Sequence, residues 1–247
     1  MIRLALPFLL LTAAWMASPA AAACEEIIFE DVPFTLCETR AGVDDLRIWQ
    51  SDDAGRLSGS FGAVDAALAP DARLGFAMNG GMFHQDRRPV GYYVEEYQQF
   101  APLVDGGGYG NFGLVPNGVF CVTDTEFRVV ETNAFRADPP NCRFATQSGP
   151  MLVIGGALHP KLHADSASLN IRNGVGTSAD GTRAVFAISD RPVTFYTFAR
   201  LFRDRLGLPD ALFLDGRVSR LYAPDLGRGS LGLPLGPIVG TVVSTTE

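Results

Sequence analysis

Short apolar runs that break abruptly into a polar residue or glycine constrain this chain most. Ala211-Leu-Phe-Leu214 stops at Asp215-Gly216, and the run through Phe76-Ala-Met78 stops at Asn79-Gly80-Gly81. Met151–Ile154 and Ala184–Ile188 are further runs of the same kind. Runs this short, bounded by turn residues, read as buried strands. Sustained helical spacing is clear from Thr194 to Leu206. There Phe195, Phe198, Leu201 and Phe202 share one face, Arg200, Arg203 and Asp204 another, and Gly207 and Pro209 end the segment. A shorter helical pattern, Phe61 to Leu68, stops at Pro70. Many strands and few helices predict an α+β single domain with a mostly antiparallel or mixed β-sheet core flanked by a few helices.

Further strands are predicted at Ile27–Phe29, Phe34–Cys37, Leu46–Trp49, Val90–Val94 and Phe127–Val130. Phe112–Val115 and Gly118–Val122 read as a hairpin around Pro116-Asn117. Leu103 to Gly110 is a glycine-rich loop. Neither a fixed-period repeat nor an interdomain linker interrupts the sequence.

The first 23 residues read as a secretory signal peptide: Arg3, an apolar run through Leu11, then Ala21-Ala22-Ala23. Cleavage after Ala23 leaves a domain of residues 24–247 with Cys24 first. Ala21 stands where a lipoprotein signal usually carries Leu, so a soluble periplasmic or secreted protein is favoured over lipid anchoring at Cys24. No transmembrane segment is predicted after cleavage. The whole chain has 20 basic and 27 acidic residues, and the leader contributes only Arg3 to that balance. Such an excess of acid argues against nucleic acid as a partner. An even four cysteines in an exported chain imply two disulfides. Three connectivities exist, and proximity favours Cys24–Cys37 and Cys121–Cys142.

Several motifs fail on context. Gly108-Tyr-Gly110-Asn-Phe-Gly113 matches a dinucleotide fingerprint, but strand-like sequence follows it instead of a helix. His159 and His163 are four apart, yet Pro160 breaks the helix that would let them share a metal, and neither metal nor cofactor is assigned. Asn117-Gly118 reads as a plain turn. Asn79 differs, because Gly80 and Gly81 together bare a patch of backbone to which a ligand could come close. Ser148-Gly149 could present a hydroxyl and backbone amides to an anion. Arg172, before Asn173-Gly174, has the fork geometry of a phosphate clamp. Asp215 reads equally as a catalytic carboxylate and as a turn aspartate accepting backbone hydrogen bonds.

Taken in order, Met78-Asn-Gly-Gly-Met-Phe83, Asn111-Phe112, Pro116-Asn117-Gly118, Gln147-Ser-Gly-Pro150, Arg172-Asn-Gly-Val-Gly176 and Leu214-Asp-Gly216 resemble the phosphodiester glycosidase family. The likeness spans roughly Leu74 to Val242. That family includes the enzyme that uncovers mannose 6-phosphate by removing N-acetylglucosamine from a phosphodiester. Many members carry Leu-Asp-Gly-Gly-Gly-Ser where this chain has Leu214-Asp-Gly-Arg217-Val-Ser219, which points to a bacterial subgroup. The resemblance implies hydrolysis of a sugar-1-phosphodiester, here of the cell envelope, with carbohydrate or sugar phosphate as partner. It implies Asp215 as the catalytic carboxylate and Arg172 and Arg217 on the phosphate. Asn79, Gly80, Gly81, Ser148, Gly149 and Asn173 would line the substrate. Glu95 and Asp180 compete for the second carboxyl that glycoside hydrolysis normally uses. Two other readings use the same pocket: a non-catalytic polysaccharide-binding or assembly protein, and a metal-dependent phosphodiesterase.

Overall fold

Period-two alternation lets one strand feed two different cores, and this chain uses it throughout. In the segment Arg183–Ser189, the side chains of Ala184, Phe186 and Ile188 enter one cluster, while Val185 and Ala187 enter another. The computed structural model describes residues 24–245 apart from 53, 108, 109, 216, 217 and 230. The expected signal peptide, Gly108, Gly216 and Arg217 lie outside the described residues.

The first elements along the chain are β1 (Cys24–Phe29), β2 (Val32–Arg40), β3 (Asp45–Trp49), α1 (Phe61–Ala67), β4 (Ala72–Asn79), β5 (Tyr93–Glu95) and β6 (Gln98–Ala101). Then come β7 (Gly118–Val122), β8 (Phe127–Glu131), α2 (Thr132–Ala137), β9 (Phe144–Ser148), β10 (Met151–Ile154) and β11 (Ala157–Leu158). The last are β12 (Asn173–Thr177), β13 (Arg183–Ser189), α3 (Phe195–Arg200), β14 (Asp210–Asp215), β15 (Leu221–Tyr222) and β16 (Ile238–Ser244).

These strands form three antiparallel sheets. The first has the order β1-β2-β13-β12-β14-β10-β11, the second β15-β4-β16-β3, and the third β6-β5-β9-β7-β8. Their inner faces share one core, to which Ile48, Phe76, Tyr93, Phe120, Phe186 and Leu212 contribute. Each outer face is covered by one helix. Phe198 and Phe202, from α3 and the π-helical turn that continues it, cover sheet one; Phe61 and Val64 of α1 cover sheet two; Phe135 of α2 covers sheet three. Thr194 caps α3 by accepting the Thr197 N–H (3.1 Å). The architecture is the α+β, mostly antiparallel domain that the patterning predicts. Both disulfides pair as proximity suggests, Cys24–Cys37 across β1 and β2 and Cys121–Cys142 beside α2.

Two local expectations change. Phe112–Val115 is no strand: Asn111–Gly113 is a 3-10 turn, and β7 makes its hairpin with β8 instead. Asn117 is therefore no hairpin tip. It is buried, accepting from Thr132 Oγ1 (2.8 Å) and donating to the Phe112 carbonyl (3.3 Å). The strand expected over Val90–Val94 begins only at Tyr93, because the Val90 N–H goes to the Met82 carbonyl and the Tyr92 N–H to Gln147 Oε1.

Candidate active site

The three sheets meet at one corner, and the chain ends its apolar runs there. β4 ends at Asn79, β9 at Ser148 and β14 at Asp215, while β12 begins at Asn173. Asn173 lies opposite Asp215 in sheet one, at a register shift. The two asparagines are fully buried. Asn173 Nδ2 donates to the Asn79 carbonyl (2.9 Å), and Asn79 Nδ2 to Asn173 Oδ1 (3.4 Å), which ties sheet one to sheet two. Asn173 Oδ1 also accepts the Asp215 N–H (3.2 Å), and Asn79 Oδ1 accepts the Arg220 N–H (2.8 Å). Ser148 Oγ donates to the Leu214 carbonyl (2.5 Å), adding sheet three. Ser219 Oγ sits 2.7 Å from the Asp215 carbonyl and 3.0 Å from that of Ile171. Buried polar groups must be satisfied in this way or cost folding energy. The result is a rigid frame around the backbone of Asp215, whose residue remains 7% exposed.

The glycines here are set by the chain's own close approach. A Cβ on Gly81 would lie 2.4 Å from Thr146 Oγ1 and 2.6 Å from the Gln147 carbonyl oxygen. One on Gly80 would meet Pro237 at 3.2 Å, and one on Gly149 would meet Asn117 Cβ at 2.5 Å.

Arg172 turns to the other face of sheet one. Its guanidinium lies 3.5 Å over the Phe195 ring, with Nε donating to the Val193 carbonyl (2.9 Å) and an Nη to that of Ser168 (3.0 Å). The side chain is 1% exposed, and burial lowers its pKa to about 10.

Of the two second-carboxyl candidates, neither reaches this corner. Asp180 lies in the turn beyond Thr177, at the opposite end of β12 from Asn173. There Ser178 and Thr182 hold its pKa down to about 2. Glu95 lies at the opposite end of the β5–β9 pair from Ser148; desolvation raises its pKa, against the Tyr93 and Gln50 donors. Asp190, just past β13, does come to the Asn173 end, ion-paired with Arg228 (2.5 Å) and accepting from Thr35 Oγ1 (3.1 Å). Sequence reading missed it, although Ile188-Ser189-Asp190 has the same apolar-to-polar break as Leu214-Asp215. Ser219, Arg220, Asp190 and Arg228 line a cavity of about 380 Å³. His159 is buried in a turn where its Nδ1 accepts the Lys161 N–H (3.1 Å), so it shares no helix with His163. Among the described residues, no group of three His, Cys, Asp or Glu side chains is placed to hold a metal.

Residues 72–230 match the family model described as phosphodiester glycosidase. The chain belongs to the phosphodiester glycosidase family. It is 37% identical over 174 residues to the uncharacterized protein YigE of Escherichia coli K12, covering 70% of this chain and 67% of that one. The fold is similar to the catalytic domain of zebrafish N-acetylglucosamine-1-phosphodiester alpha-N-acetylglucosaminidase auto-inhibited by its pro-peptide. That match has TM-score 0.59 and 12% identity, over 89% of this chain and 81% of that one. A hypothetical protein from Synechocystis gives TM-score 0.57 and 12% identity, over 89% and 61%. At such identity these two likenesses concern the fold alone. The family segment of this phosphodiester glycosidase contains the whole corner, from Asn79 to Ser219.

Proposed function

We propose that this protein is an exported hydrolase that cleaves the glycosidic bond of a sugar-1-phosphodiester in cell-envelope glycans. The observation that carries the reading is Asp215: a carboxyl-bearing residue, buried but for 7% of its surface, at the end of a central strand, its backbone fixed by Asn173 and Ser219, inside the segment that matches the family. A preorganised group needs no reorganisation when charge develops at the anomeric carbon. A phosphodiester leaves more readily than an alcohol, so the demand on a general acid is reduced. Asp215 acts as the catalytic carboxylate in this reading, and Asp190 replaces Glu95 and Asp180 as the second carboxyl because it shares the corner.

Asn79 and Asn173 are positioning residues first, since their amides already hold Asp215 and Arg220. Gly80, Gly81, Ser148 and Gly149 are buried against the chain itself, so their part is to let the strand ends pack closely beneath the site. Phosphate is met by Arg217, and not by Arg172, whose guanidinium is buried on the other face of sheet one against Phe195. Two disulfides suit an oxidising compartment, periplasmic or extracellular. Among the described residues, no helix is long and apolar enough to cross a membrane.

The test is hydrolysis of a panel of sugar-1-phosphodiesters with product mass spectrometry. Free sugar with an intact phosphomonoester is expected, reduced about a thousandfold or more in Asp215→Asn. Sugar phosphate as product, or full turnover in Asp215→Asn, would overturn the assignment.

A further inference from the structure

The cavity of about 380 Å³ at the corner has a wall with more cationic than anionic groups. Its titratable residues, among those described, are Asp190, Arg220 and Arg228, two guanidiniums against one carboxylate. That carboxylate is already answered. Its Oδ1 accepts from Arg228 Nη1 (2.5 Å) and its Oδ2 from Thr35 Oγ1 (3.1 Å). Arg228 Nη1 also reaches Thr35 Oγ1. These contacts fix one end of the Arg228 fork. Its Nε and Nη2 edge makes no hydrogen bond among the described residues, although the side chain is 28% exposed and lines the cavity. A Cβ on the next wall residue, Gly229, would meet nothing within 4 Å, so no packed neighbour closes this side.

A guanidinium held at one end and open along its edge takes an oxyanion with two parallel hydrogen bonds. Arg220 adds positive charge to the same wall. It is anchored there, with Nη1 donating to the Leu233 carbonyl (2.7 Å) and its guanidinium over the Phe61 ring. A wall of that sign repels a cation and draws an anion. The cavity also adjoins the backbone of Asp215. Ser219, on its wall, has Oγ 2.7 Å from the Asp215 carbonyl. Ile188, on the wall too, pairs with Asn173, and Asn173 with Asp215, so Ile188 lies two strands from Asp215, roughly 10 Å at the usual strand spacing. An anion held here is a neighbour of whatever Asp215 acts on.

We propose that this cavity is a phosphoryl subsite, in which the Nε and Nη2 edge of Arg228 donates two hydrogen bonds to the non-bridging oxygens of the phosphodiester. Arg228 is a binding residue in this account, a second arginine beside Arg217. The choice of phosphate among oxyanions rests on the glycosidase reading, but binding can be measured without turnover.

The experiment is NMR titration of the full protein with inorganic phosphate and, separately, with acetate. The variants are Arg228→Gln, Arg228→Lys, the double variant Arg228→Gln with Asp190→Asn, and Arg56→Gln, which removes an exposed charge elsewhere. Phosphate should bind the wild type and Arg56→Gln alike, and at least about tenfold more weakly in Arg228→Gln. Arg228→Lys keeps the charge but loses the fork, so an intermediate loss is expected; it also keeps a partner for Asp190 and remains a test if thermal unfolding shows Arg228→Gln to be misfolded. The double variant should bind as weakly as Arg228→Gln. Recovery there would mean that Arg228 serves only to pair Asp190, and would overturn the proposal. So would wild-type affinity in Arg228→Gln, an equal loss in Arg56→Gln, or acetate bound as tightly as the more highly charged phosphate. In turnover, Arg228→Gln should raise KM for a sugar-1-phosphodiester more than it lowers kcat. Cleavage with unchanged KM would overturn this proposal and leave the hydrolase reading in place. Phosphate binding that depends on Arg228 in a protein that cleaves no phosphodiester would overturn the hydrolase reading and leave this one standing.

Discussion

Arg172 shows how much a single side chain depends on which way it turns. Adjacent Asn173 faces the corner, whereas Arg172, one residue earlier on alternating strand geometry, faces the helix and stacks on Phe195. Its planar fork is used for two carbonyls and a ring, a combination that an ammonium cannot reproduce. Arg172→Lys is expected to destabilise the protein by about 2–3 kcal/mol, as a lower urea midpoint at unchanged slope. His159 gives a second residue-scale prediction. Burial lowers its pKa below the ordinary 6.5, so between the two values the unfolded chain binds more protons than the folded one. The stability His159 contributes by staying neutral is complete above pH 6.5 and is lost as the pH falls from there toward the folded value. Urea midpoints measured across that range should fall for the wild type, and the fall should be shallower in His159→Gln. An equal slope in both proteins would mean that the histidine is not coupled to folding.

At the scale of elements, the short strands owe their positions to the absence of side chains at close contacts. A Cβ on Gly174 would lie 2.7 Å from the Leu212 carbonyl oxygen, which belongs to the neighbouring strand β14 and cannot rotate away. Gly174→Ala should therefore cost about 1–3 kcal/mol by pushing β12 from β14. Activity should fall with stability, because β12 carries Asn173; thermal unfolding and turnover measured together check this. On sheet three, Cys121–Cys142 closes a loop with a sequence separation of 21. Replacing both cysteines by serine should remove about 3 kcal/mol on the chain-entropy estimate, read by chemical denaturation. The failure of the Phe112–Val115 strand belongs to this scale as well. Its apolar residues satisfy the strand pattern, yet the Gly113 and Leu114 N–H groups bond back to the Gly110 and Asn111 carbonyls as a 3-10 turn. Local composition does not distinguish these outcomes; the partner strand does, and β7 already had two, β8 and β9.

At the scale of the whole molecule, three sheets around one core leave a corner where strand ends from each converge. Asn173 links two of them, so Asn173→Ala removes its amide's hydrogen bonds to the Asn79 carbonyl and from the Asp215 N–H. A loss of about 2–4 kcal/mol is expected, with a larger drop in kcat than in KM if the asparagine positions Asp215 and does not bind substrate. A rise in KM alone would show substrate contact instead. The strands β6, β9, β11, β12, β15 and β16 were not legible in the sequence, whereas many of the other strands, the helix after Thr194, both disulfides and the position of Asp215 at a strand end were. Each is written in a local signal: periodicity of two or 3.6, proximity of cysteines, an apolar run broken by a polar residue. Tertiary structure alone decided that Asn79 and Asn173 bond to each other, that Arg172 points away from the corner, that Asp190 reaches it, and that Glu95 does not. Those facts depend on which strands become neighbours and in what register, and pairing between segments as distant as β4 and β16 leaves no trace in either segment alone.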